Sequence, residues 1–238
     1  MASLQTYLSY YLINAILYSL LEPIHYTPFP GAASKEPHEI FWSIELAHLC
    51  NNFCAAVLVS LSLGFSLSGV SALVQLVGGF QSEVVVDNPL FLSTSPSDFW
   101  GRRWNRLVHV GLKNGVYKPV RSHSGSRSLA TMATFLASGL YHEYVWCLLF
   151  YINIHQTDVH NPPFGKQLLF FGWNGILLIL EYAVGWEKLV STMPRPAVTL
   201  IVVLMALPVG HLFTGDMLKG GYFTSLQLAI PILRWDET

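Results

Sequence analysis

His142 and Glu143 sit side by side in an apolar run, Leu129 to Ile152, in which Glu143 is the one charged residue. Titratable groups at membrane depth are costly and usually functional. A low-dielectric surrounding favours neutral imidazole, the form able to take a proton from a hydroxyl, so His142 is a candidate general base for an alcohol nucleophile. On a helix His142 stacks with Phe135, Ser138, Trp146 and Leu149, while Glu143 points about 100° away, beside Gly139 and Cys147. That spacing predicts that Glu143 meets another helix or a substrate rather than His142. The small residues Ser138 and Gly139 admit close approach of a neighbour. A histidine that merely ties two helices together satisfies the same pattern.

Upstream, Phe99 to Asn105 read FWGRRWN. Ser95-Pro96-Ser97-Asp98 is a helix start, with a capping serine, proline at the first position and an acid at the third. Continued at about 100° per residue, the helix puts Trp100, Trp104, Leu107 and Val108 on one face and Arg102, Arg106 and His109 on the other. Such a helix lies flat on a membrane surface, indoles at headgroup depth and guanidiniums outward. The arginines then either anchor it to anionic lipid or meet the phosphates of an arriving ligand. Asn105 follows Gly101 by one turn, and the missing side chain beneath it leaves room for another molecule at its amide. The plainer reading of Asn105 is a cap or a tie between helices.

The elements that hold these residues are membrane helices. The chain has 238 residues, is 52% hydrophobic and 11% charged, with mean hydropathy +0.43. Ordinary soluble domains are roughly 25% charged. A net charge of −1 and a sequence pI near 6.7 exclude the basic stripe of a nucleic-acid binder. Candidate spans are 4–21, 44–64, 129–152, 167–187 and 197–214, with 65–80 as a separate shorter or re-entrant helix. The stretch 222–233, broken by Pro231, reads as a surface-dipping piece. Residues 1–21 lack a basic n-region and read as a membrane or interfacial helix rather than a signal peptide.

Seven of the thirteen Lys and Arg residues lie in the loop 81–128, which the positive-inside rule makes cytoplasmic. Cys50, Cys54 and Cys147 read as small packing groups rather than a disulfide or metal framework. Glu45, His48, Asn51 and Asn52 suggest an interhelical hydrogen-bond cluster, and no HExxH-type spacing indicates a metal. Glu181 and His211, each alone in an apolar run, read as tethers or cavity-lining groups.

Ser95 to Asn105, SPSDFWGRRWN, is similar to the wax synthase motif around FWGRRWN. VYKPV (Val116 to Val120) followed by FLASGLYHEY (Phe135 to Tyr144) resembles the stretch leading to the catalytic histidine of the membrane-bound O-acyltransferase (MBOAT) superfamily. The same order, with FYxDWWN in place of FWGRRWN, occurs in acyl-CoA:diacylglycerol and acyl-CoA:sterol acyltransferases. The likeness is strong over about 92–150 and diffuse elsewhere. It implies one all-α polytopic transmembrane domain over 1–238, most similar to the wax synthase branch, and a membrane enzyme of the endoplasmic reticulum. The implied reaction moves a fatty acyl group from acyl-CoA, a co-substrate with no bound cofactor, to a long-chain alcohol.

Carried over by position, His142 is the catalytic base, Asn105 its partner at the reaction centre and Glu143 a supporting residue. Arg102, Arg103, Trp104 and Lys118 are then the candidates for meeting acyl-CoA. Members of the superfamily have more membrane helices than the five or six counted here, so an N-terminally shortened form is expected. Diacylglycerol, a sterol, or a small metabolite receiving acetyl are the alternative acceptors. A non-enzymatic transporter using His142 and Glu143 as an ion site is the contrasting class, although the paired repeats with broken helices that many transporters show are missing.

Overall fold

A computed structural model describes residues 2–21, 43–79, 84–151 and 164–219, and all regular structure among these is helical. The expected piece at 222–233 lies outside the described residues. The long elements are α1 (Ala2–Leu21) and α2 (Leu46–Gly78), then α7 (Arg127–Trp146), α8 (Lys166–Val184), α10 (Arg195–Ala206) and α11 (Gly210–Lys219). Between α2 and α7 lie the short α3 (Pro89–Leu92), α4 (Pro96–Asp98), α5 (Arg106–Leu112) and α6 (Lys118–Ser124), and α9 (Trp186–Leu189) follows α8.

α2 corrects the expected division into 44–64 and 65–80: it is a single helix of 33 residues. Glycine and serine break a helix only where nothing packs on them. Here a Cβ at Gly64 would overlap the Tyr10 ring, and one at Gly69 would stand 3.1 Å from Tyr7. These positions are where α1 crosses α2 closely, and Asn14 Nδ2 adds a bond to the Leu61 carbonyl (3.4 Å). The descending register makes the two helices antiparallel. At 1.5 Å per residue α2 is roughly 50 Å long, more than the ~30 Å hydrocarbon core needs.

Three described helical stretches are long and apolar enough to cross a membrane: Leu46–Gly78, Lys166–Val184 and Arg195–Met217. The expected spans 4–21 and 129–152 are helical, as α1 and α7, but not among those three. Gln5 and Asn14 in α1, and His142, Glu143 and several Ser and Thr in α7, dilute their apolar character.

The Arg195–Met217 rod bends at a 3₁₀ turn, Leu207–Val209, because Pro208 cannot continue the helical ladder. Carbonyls around the bend also accept from neighbouring elements, as lipid depth favours. Asn52 Nδ2 donates to Leu207 O (2.8 Å), Trp173 Nε1 to Met205 O (2.9 Å) and Ser43 N–H to Pro208 O (3.3 Å). His48 Nε2 lies 2.9 Å from Asn52 Nδ2, and its ring meets His211 edge-on at 4.8 Å. His48 and Asn52 therefore form part of the interhelical cluster expected of them, and His211, expected to stand alone, packs against it. Glu45, at the exposed start of α2, stands outside it.

Candidate active site

The segment 94–105 is pinned from several sides. Ser95 Oγ caps the turn by accepting from the Asp98 N–H (3.0 Å), and Asp98 Oδ2 accepts from the N–H of Thr94, the residue before the cap (3.1 Å). Glu181, from α8, accepts both the N–H and the Oγ–H of Ser97 at 2.6 Å, which makes it a tether. Trp186 Nε1 donates to Thr94 O (2.9 Å).

The expected continuous helix through Asn105 does not form. Residues Phe99–Arg103 widen into a π turn closed by Trp104 N–H to Phe99 O (2.8 Å), Trp104 is extended, and Asn105 takes a left-handed conformation (φ 30) before α5 begins. Asparagine tolerates that region better than most residues. The wide turn brings Arg103 Nε to Asp98 Oδ2 (2.9 Å) and its Nη1 to Asp87 Oδ2 (3.1 Å). Burial opposes ionisation of Asp98, but the bonds from Arg103 and Thr94 outweigh it and hold the carboxyl below its ordinary value.

Two faces expected of that helix are thereby rearranged. Trp100 and Trp104 both turn inward and pack with Phe99, at 5.1 Å and 5.5 Å between ring centres. Trp100 Nε1 is fixed by Asn174 Oδ1 (3.1 Å). Arg103 is committed to carboxylates rather than to a ligand or lipid, and Arg102 stays exposed.

On α7, His142 Nδ1 stands 2.7 Å from the Ser138 carbonyl. A carbonyl only accepts, so Nδ1 carries the proton and Nε2 is left as the basic nitrogen. The ring stacks on Phe171 (4.5 Å, 28°) and meets Trp146 and Phe213 at 5.5 Å each. Glu143 points away, as expected, and caps α8. Its Oε1 accepts from the N–H groups of Gly165 (2.8 Å), Gln167 (2.8 Å) and Leu168 (3.2 Å), where a helix start favours an anion. The carboxylate thus holds the helix that carries Phe171 against His142.

The same crossing uses Gly139: a Cβ there would lie 2.9 Å from Leu168 Cα and 3.2 Å from Gln167 O. Gly139→Val is expected to force α7 and α8 apart and cost about 1–3 kcal/mol, the usual range for overpacking. Thermal melting of the detergent-solubilised protein checks this, and an unchanged midpoint would contradict the tight crossing.

A cavity of about 420 Å³ lies between the 97–117 segment, α7 and α8. His142 and Asn105 both line it. Asn105 Oδ1 accepts the Val108 N–H (3.3 Å), so the side chain does cap α5, as its plainer reading held, with one oxygen and while facing the cavity. The space over Gly101 is shared with His109, whose ring would be 3.7 Å from a Cβ there. Burial first, then nearby Lys113 and Arg106, push the His109 imidazole below its ordinary value. An apolar void of about 60 Å³ shares Trp100 and Trp104 as walls.

Trp104 lines the cavity, whereas Arg102, Arg103 and Lys118 are not among its lining residues. The cations that line it, Lys113 and Arg127, were missed as site residues. Arg127 had a visible signal, since 127, 131, 134, 138 and 142 recur at helical spacing on α7. A buried ion pair, Lys166 Nζ to Asp216 Oδ1 (2.8 Å), links α8 to α11 and had none. Among the described residues no group of three or more potential metal ligands occurs.

Residues 85–171, the stretch that builds this cavity, match the family described as "Membrane bound O-acyl transferase family". Over these residues the chain is similar to that family. Its MBOAT similarity runs to the wax synthase branch. "Probable long-chain-alcohol O-fatty-acyltransferase 9" of Arabidopsis thaliana is 38% identical over 125 residues, 50% of this chain and 34% of that protein. "Putative long-chain-alcohol O-fatty-acyltransferase 10" of the same plant is 34% identical over 163 residues, 65% of this chain and 43% of that protein. "Acyl-CoA--sterol O-acyltransferase 1", also from Arabidopsis thaliana, is 32% identical over 135 residues, 54% of this chain and 36% of that protein. The chain spans less than half the length of these relatives. No solved structure matches it.

Proposed function

We propose that this chain holds the reaction centre of a membrane acyltransferase that moves a fatty acyl group from acyl-CoA to a long-chain alcohol, making a wax ester. The observation that carries the reading is that His142 and Asn105, 37 positions apart (142 − 105), line one cavity while the Nδ1 proton of His142 is held by Ser138. Nε2 takes the hydroxyl proton, the alcohol oxygen attacks the thioester carbonyl, and the C–S bond breaks. The proton on Nε2 then passes to the departing thiolate. Asn105 Nδ2 donates to the carbonyl oxygen as charge develops on it. Transfer is direct, with no acyl-enzyme. Glu143 supports the base at one remove, through α8.

In this reading acyl-CoA is the co-substrate, a lipid alcohol is the second substrate, and the enzyme is integral to the endoplasmic reticulum membrane. Acyl-CoA enters from the cytosol past the basic residues of 81–128, and the alcohol enters laterally from the bilayer. A cysteine at Ser124, exposed at the end of α6, reports that orientation in a variant otherwise free of cysteine. An impermeant maleimide is expected to label it from the cytosolic side, and labelling from the lumen would reverse the entrance.

A sterol acceptor is the second reading, favoured by the sterol O-acyltransferase among the relatives. A competition assay in membranes carrying the protein, with equal fatty alcohol, sterol and diacylglycerol, separates the two. Wax ester is the expected main product. Steryl ester would move the assignment to the second reading, and triacylglycerol would overturn both.

A further inference from the structure

The backbone on both sides of Asn105 is tied to the segment 85–87. Asp87 N–H donates to Arg103 O (2.9 Å), and Arg106 N–H donates to Val85 O (2.9 Å). The pairing is antiparallel, and between its two bonds Trp104 and Asn105 stand opposite one residue, the buried Val86. Two residues against one is the count of a β-bulge, a device that re-aims a side chain and recurs beside active sites. Among the described residues only Asn88 (φ 43) and Asn105 (φ 30) are non-glycine residues in the left-handed region, and each adjoins this pairing. Such a backbone persists only where its surroundings over-determine it.

The Arg103 side chain ties the bulge to a third segment. Its Nη1 donates to Asp87 O (3.2 Å) and Oδ2 (3.1 Å), and its Nε donates to Asp98 Oδ2 (2.9 Å). The same Asp98 oxygen accepts from the Thr94 N–H (3.1 Å) and hydroxyl (3.3 Å). One planar guanidinium thus spans two carboxylates, which an ammonium, a point charge on a flexible stem, does not reproduce. Asp98 is buried, where an ion pair is little screened by salt. Arg103 itself is not among the residues lining the cavity that Asn105 faces.

Resting on the acyl-transfer reading above, we infer that Arg103 is a positioning residue for that reaction: by joining the 85–87 segment to the 94–98 turn, it fixes the two-residue bulge that presents the Asn105 amide to the cavity. With the guanidinium gone, the two backbone bonds remain, but the left-handed turn at Asn105 loses its outer support. The amide then samples directions other than that of the developing oxyanion. A misplacement of about 1 Å is enough to cost a reaction about 10²-fold. Arg103 spends its hydrogen bonds within the protein and stands outside the cavity, so the loss belongs to the chemical step and not to substrate binding.

The test is a double-mutant cycle in membranes with matched amounts of inserted protein. Arg103→Gln is expected to lower kcat about 10–10²-fold with KM for a long-chain acyl-CoA within about twofold, and Arg103→Lys to fall between it and the native protein. In Asn105→Asp, which already lacks the amide donor, adding Arg103→Gln should lower kcat less than about twofold further, because the two residues act as a unit. Lys188→Gln, which removes an exposed cation on α9, should behave as the native protein. Should Arg103→Gln fail to insert, Arg103→Lys, which keeps the charge, carries the same cycle. A full loss repeated in the Asn105→Asp background would make Arg103 a general support of the fold and overturn the inference. A raised KM at unchanged kcat, the mark of a ligand contact, would overturn it as well. Native turnover by Arg103→Gln would overturn it while leaving acyl transfer intact. Native turnover by Asn105→Asp would instead overturn the part of Asn105 in the acyl-transfer reading, and the inference falls with it.

Discussion

Replacing His142 with alanine is expected to lower acyl transfer by about 10²–10⁴-fold, the contribution of a positioned general base. The ring is held by one backbone bond, from Nδ1 to Ser138 O, and by contacts with Phe171, Trp146 and Phe213. The loss should appear in kcat with membrane insertion and expression preserved, because the side chain's hydrogen bond among the described residues stays within α7. His142→Gln is a sharper variant: its amide nitrogen can still donate to Ser138, but the side chain cannot take a proton. Turnover assays on membranes with matched protein amounts check both. Comparable turnover from well-inserted His142→Ala would remove the base from the mechanism.

Asn105→Asp is expected to have the second largest effect, about 10²–10³-fold in kcat, the usual cost of losing one donor to a developing oxyanion. The structure separates two roles that one side chain could otherwise confound. Oδ1 accepts the Val108 N–H and starts α5, and aspartate keeps that cap and tolerates the left-handed backbone at φ 30. What aspartate removes is the Nδ2 donor. Asn105→Ala removes both, and should add a stability loss of about 1 kcal/mol to the same catalytic defect. If Asn105→Asp turns over normally and only Asn105→Ala is impaired, the residue is a cap and nothing more.

The centre of the site was legible in sequence because its parts are local. His142 and Glu143 announce themselves as polar groups in an apolar run, and helical spacing correctly turned Glu143 away from His142 towards another helix. Asn105 stood out by position, although its left-handed backbone did not. The helix broken at Trp104 was not legible, because capping and facial periodicity both favoured continuing it. The π turn is instead accompanied by the pull of Asp98 and Asp87 on Arg103. That pairing also explains why Arg103 sits in an ion pair and the cavity's cations come from Lys113 and Arg127. α2 read as two pieces because glycines in isolation weaken a helix, whereas Gly64 and Gly69 are the floor on which Tyr10 and Tyr7 rest. The Lys166–Asp216 pair joins residues 50 positions apart, and no local pattern specifies such a bond.

A structure of the protein with a non-hydrolysable thioether analogue of acyl-CoA and a fatty alcohol observes directly the sharing of one reacting centre by His142 and Asn105. The alcohol oxygen is expected about 3 Å from His142 Nε2, within reach for proton transfer, with the carbonyl of the analogue towards Asn105 Nδ2. An alcohol oxygen bound elsewhere, or a thioether sulfur outside the cavity lined by His142 and Asn105, would contradict it.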